Sequence, residues 1–210
     1  MIRFILKAGA ARCLPIVCML SAVGCTAIGN LGAPTPPTAA LALYDGSVRA
    51  AVPQNYCIET KASAPATGFA VMVACETIAL RNERPLINGF VTVQVGTEGS
   101  AIVGDEADQL EALLKTDGGR RLLSQNGDPS GIKVRETGRA AGAVLVNFSD
   151  ALEPPVAGLQ KTEWRGFFEV DGRLATVAVR GIAEDPLADR DGRALLERTI
   201  TAVQLANVAG

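Results

Sequence analysis

The residues of this chain that could do chemistry are narrow in kind, because none of the 210 is a histidine. Histidine is the usual general base near neutral pH and the commonest transition-metal ligand. Its absence excludes Ser-His-Asp and Cys-His machinery, zinc deaminase sites and HExxH sites. The remaining raw material is lysine and carboxylate: Glu76, Glu136, Asp150, Glu163 and Glu169 stand in segments that fold. Two of these converging about 5–9 Å apart in a cleft would make a carboxylate-based hydrolase or lyase. Without that convergence the chain carries no catalytic residue and no cofactor, and it reads as a binding or accessory module. A purely structural envelope component is a third reading.

Two local patterns resemble known sites and fail on geometry. Ser130-Gly131-Ile132-Lys133 matches the S-x-x-K of penicillin-interacting enzymes, with Ser149-Asp150 and Lys161-Thr162 following in order. That motif needs its serine at a helix start so that the lysine lies beside it one turn on. Asp128-Pro129-Ser130-Gly131 instead reads as a turn running into a strand, from which Lys133 points away. In DPLADRDGRALLER, aligning Gly192 with the glycine of a calcium loop puts Leu187 at the first ligand position and Arg198 where a bidentate glutamate is required. A turn and helix cap explain the acids there. Asn147-Phe148-Ser149 has the glycosylation pattern but falls in a strand.

The elements that must position any site follow from periodicity. SVRAAVPQNYCIE opens with a strand broken at Pro53, and GFAVMVACETIAL (68–80) is an apolar run of the kind found in central strands covered on both faces. GFVTVQV alternates, with Val91, Val93 and Val95 on one face. EADQLEALLKT, capped at or near Asp105, places Leu110, Leu113 and Leu114 at helical spacing; Asp117-Gly118-Gly119 interrupts it before a second turn. IKVRET and AVLVNFS flank a Gly138–Gly142 turn. TEWRGFFEV and RLATVAVRG meet at Asp171-Gly172, a hairpin signal. DGRALLERTITAVQLAN closes the chain with Leu195, Leu196, Thr199, Ile200 and Val203 on one stripe. The order βββ-α-ββββ-α predicts a single α+β domain over residues 47–210, with a mostly antiparallel sheet of six or seven strands and helices packed on it.

Charge and cysteine use place the domain. Residues 1–24 hold three basic and no acidic residues; without them 17 basic face 22 acidic side chains, a net charge of −5. An acidic domain with no Lys/Arg stripe is a poor nucleic-acid binder. A basic stretch 1–12 followed by CLPIVCMLSAVG has the layout of a secretory signal. A membrane span needs about 20 apolar residues, and Pro15, Gly24, Gly29, Asn30 and Gly32 interrupt this run. Ser21-Ala22-Val23-Gly24-Cys25 resembles the lipobox of bacterial lipoproteins. The resemblance implies cleavage before Cys25, palmitate-type acylation of its thiol, and attachment to a membrane facing the periplasm. Thr26 in the next position leans toward the outer membrane. Residues 25–46 would be the lipidated N-terminus and a Pro/Ala/Gly/Thr tether, too poor in apolar surface to order itself.

Export makes a Cys57–Cys75 disulfide the expectation for the two cysteines left in the domain, with two buried thiols as the alternative. Trp164, Phe168 and Val170 share a strand face and read as core. Phe167 faces the other way, and together with Tyr56 it could mark a binding patch.

AAVPQNY, the aromatic hairpin 162–180 and the closing helix together resemble the PsbP-like fold, a layered α/β/α domain of thylakoid-lumen proteins and some bacterial lipoproteins. The match would cover residues 47–206, with Tyr56 where that pattern usually has Trp. It implies an accessory or binding role toward an unknown protein or small molecule and no defined active site.

Overall fold

A computed structural model describes residues 38–79, 84–101 and 106–208. The expected signal segment 1–24, Cys25, most of the expected tether and Asp105 lie outside the described residues.

The fold is α+β, built on a seven-stranded antiparallel sheet ordered β3-β4-β5-β9-β8-β7-β6. Its strands are β3 (Tyr56–Ile58), β4 (Phe69–Ala74), β5 (Phe90–Val95), β6 (Ile132–Ala140), β7 (Ala143–Asp150), β8 (Thr162–Val170) and β9 (Arg173–Arg180). A separate hairpin pairs β1 (Ala40–Leu43) with β2 (Val48–Ala51). Among the described residues the α-helices are α1 (Cys75–Ile78), α2 (Ala107–Leu114), α3 (Asp117–Leu123) and α4 (Asp189–Ala206).

Period-two alternation sends one set of side chains from each strand to an inner face. There Val91, Val93 and Val95 of β5 and Val177 and Val179 of β9 meet Trp164, Phe168 and Val170 of β8. The α4 stripe Leu195, Leu196, Ile200 and Val203 covers them, and Leu43, Val48 and Ala50 of the β1–β2 hairpin close the layer. Helix and sheet come close because β8 carries Gly166, where a Cβ would sit 2.7 Å from Ile200 Cδ1. On the outer face, Leu114 of α2 and Leu123 of α3 pack over Val144, Val146 and Phe148 of β7 and Ile132 of β6.

Asp171-Gly172 forms the β8–β9 turn with both residues at positive φ, 49° and 66°, as a two-residue hairpin of the right twist requires. The β6–β7 turn is tighter than the Gly138–Gly142 expectation: β6 runs through Ala140, and only Ala141-Gly142 turn.

Two expectations need correction. The folded part begins before Ser47: Ala40–Leu43 of the expected tether is strand β1, paired from Ala40↔Ala51 to Leu43↔Val48. Leu43 becomes fully buried and Leu41 partly buried once β2 supplies a partner. The run 68–80 is not one central strand. It stops at Ala74, where α1 begins, and β4 is second from the sheet edge.

Candidate functional site

The strand ends that carry Ala74, Phe90, Asp150, Thr162 and Arg180 lie at one end of the sheet, as the antiparallel register dictates. The connections leaving them line a half-open cavity of about 510 Å³. Val73 and Ala74 of β4 and Thr77 of α1 form one wall, and Asn88, Gly89 and Phe90 form the floor. Val156–Leu159 of the β7–β8 connection and Ile182 and Glu184 beyond β9 form the opposite wall.

These walls are held by backbone pairing, so the cavity is preformed. Ala183 N–H donates to Gly158 O at 2.8 Å and Gln160 N–H to Gly181 O at 2.9 Å. The Gln160 side chain accepts from Leu187 N–H at 2.9 Å, tying the two connections together. On the other side, Cys57 of β3 and Cys75 of α1 form a disulfide that staples α1 to the sheet, and Cys75 N–H donates to Asn55 O.

Tyr56 is buried on the inner face at 3% exposure. Its hydroxyl donates to Ile87 O and accepts from Gly89 N–H, both at 2.8 Å, which pins the cavity floor. Burial pushes its pKa up to about 12. Phe167 is half-buried against the outer-face cluster. The two residues therefore lie on opposite faces of the sheet and form no common patch. Tyr56 serves the cavity through its hydroxyl from beneath.

The carboxylates do not converge. Glu163, 2% exposed, is clamped between two guanidinium groups: Arg165 Nε donates to its Oε1 at 2.6 Å and Arg180 pairs with its Oε2. Arg180 also donates to Gln160 O and Lys161 O, and Arg165 lies 5.1 Å from the Phe148 ring centroid. Asp150 holds a loop, accepting from Leu152 N–H at 2.9 Å and from Gln125. Glu136 pairs with Arg193 and Glu76 with Arg84, while Glu169 is exposed. No cluster of three metal-ligating groups occurs among the described residues. Ser130 sits in a 3-10 turn and Lys133 in β6, as the turn-and-strand reading of that motif requires.

A second polar feature lies under α4. Asn147 and Trp164 face each other across β7 and β8, and both amide atoms of Asn147 and Trp164 Nε1 are buried without a partner among the described residues. The Arg193 guanidinium lies 5.9 Å from the Trp164 ring centroid. Burial of Asn147 also removes it from any glycosylation role. Sequence reading passed over both the cavity and this pair. The cavity is lined mainly by Val, Ala, Gly, Leu and Ile from separate segments, which no motif could reveal. The one available signal was an asparagine on the core face of a strand.

No protein-family model matches the chain, and neither does any curated protein. Among solved structures it is similar to a mutant form of the protein Mog1, at 12% identity over 80% of this chain and 89% of that one, with a TM-score of 0.35. A likeness at this level carries no inference about function.

Proposed function

We propose that the chain is a lipid-anchored binding module of the bacterial cell envelope, facing the periplasm and without enzymatic activity. The preformed apolar cavity carries this reading. Ligand sites are typically concave, apolar and held by a rigid frame, and this one has all three properties. The engagement of Glu163, Asp150, Glu136 and Glu76 in ion pairs and loop hydrogen bonds supports a binding role over carboxylate catalysis. The basic leader, the apolar stretch and Ser21–Cys25 support the anchor. Several acyl chains together hold a protein on a bilayer, whereas one binds reversibly.

Growth with radioactive palmitate tests the anchor. The wild type is expected to incorporate label into a membrane-bound form and Cys25→Ala to lose it; equal labelling of both ends the lipoprotein reading.

A further inference from the structure

The cavity has an apolar interior and an acidic lip. Val156 on its wall is 43% exposed, and Ile78, which follows the lining residue Thr77 in α1, is 40% exposed. A large aliphatic left exposed on the wall of a concave apolar site is a feature of surfaces that close on a partner. Glu184 lines the opening and Asp185 follows it. Among the described residues neither takes part in an ion pair, whereas Glu76 is matched by Arg84 and Glu153 by Lys161. Among the described residues, Glu184 is the one charged side chain that lines the cavity, so the described lining carries negative charge.

Resting on the binding-module reading, we infer that the cavity accepts an apolar side chain from an extended segment of a protein partner. Lysine or arginine beside that side chain would meet Glu184 and Asp185. The apolar side chain fills space bounded by Val73, Phe90, Leu159 and Ile182. The basic neighbours answer the lip charge, which contributes more to encounter and selectivity than to raw affinity. An anionic bilayer does not fit this opening, because its phosphates would face the acidic lip.

The test uses the wild-type chain in detergent as bait for a displayed library of random twelve-residue peptides. Enriched sequences are expected to combine an aromatic or aliphatic residue with adjacent Lys or Arg. Synthetic peptides made from them should shift the amide resonances of Gly89, Phe90 and Ile182. Val156→Lys and Glu184→Lys each change an exposed side chain and leave the core intact. Each is expected to weaken binding about tenfold at low salt, with the Glu184 effect shrinking as salt rises. Enrichment of acidic peptides, or of none, overturns the inference. Peptides whose binding ignores both substitutions place the partner elsewhere, which overturns the inference and leaves the binding-module reading standing. A soluble short-chain phosphatidylglycerol that shifts the same three resonances where the peptides do not overturns the inference in favour of lipid. Palmitate labelling judges the anchor independently of all these outcomes.

Discussion

Glu163 offers the most searching test of how this fold is held together. Its carboxylate is 2% exposed and sits between Arg180, whose side chain is 8% exposed, and Arg165 at 20%. Glu163→Ala leaves Arg180 buried with no counter-charge. Breaking a buried pair from one side costs about 3–5 kcal/mol, because the stranded charge is penalised along with the lost contact. Arg180→Met should cost a similar amount, less what Glu163 retains through Arg165. Glu163→Met combined with Arg180→Met removes both charges. Its residual cost is the pair of carbonyls, Gln160 O and Lys161 O, that lose their donor, at about 1 kcal/mol each. The double variant should therefore fall well short of the sum of the singles, with a coupling of at least about 1.5 kcal/mol. Trp164 is the sole tryptophan and directly follows Glu163, so urea unfolding read by its fluorescence reports the region directly. Raised salt should change the result little, since the pair is shielded from solvent. Glu163→Ala losing less than about 1 kcal/mol, or additive singles, would refute the view that these groups act as one unit.

Two further outcomes follow from the cavity's supports. Tyr56 has a native pKa of about 12 against an ordinary value of 10.0. Its contribution is intact below pH 10 and declines as pH rises toward 12, since the unfolded phenol ionises first; the expected loss is about 2–3 kcal/mol. Alkaline titration of unfolding should show this step in the wild type and lose it in Tyr56→Phe, which also starts less stable at neutral pH. The Cys57–Cys75 bridge closes a sequence separation of 18 residues, so its removal by Cys57→Ala with Cys75→Ala should cost about 3 kcal/mol. An unchanged midpoint in urea would mean that the bridge adds nothing beyond what the backbone already holds.

Elements with a local cause were legible in the sequence. Asp171-Gly172 specifies a turn by itself, the α4 stripe declares its buried face, and the alternation of β5 and β8 separates core from surface. Elements whose cause is remote were not. Ala40–Leu43 is half alanine beside a proline-rich stretch and becomes a strand only because β2 pairs with it. Tyr56 was legible as an aromatic residue but not as a buried one, since its hydroxyl partners Ile87 and Gly89 lie 31 and 33 residues downstream. The cavity was silent for the same reason: its wall residues acquire meaning only when separate connections meet.

The strand order carries a consequence for how the chain assembles. β3-β4-β5 and β6-β7-β8-β9 are two meanders in which every neighbour is adjacent in sequence, and they join only at β5–β9, from Phe90↔Arg180 to Val95↔Ala175. Local hairpins close quickly, whereas this seam must bring together strands separated by the whole of the second meander. A chain emerging from its N-terminus therefore holds β5 with one bare edge until β9 has been delivered. A clasp follows the strands: Asn207, just past α4, accepts from Arg49 N–H and donates to Arg49 O, both at 2.8 Å. This contact ties the β1–β2 hairpin to the end of α4, through a residue that follows every strand of the sheet in the chain.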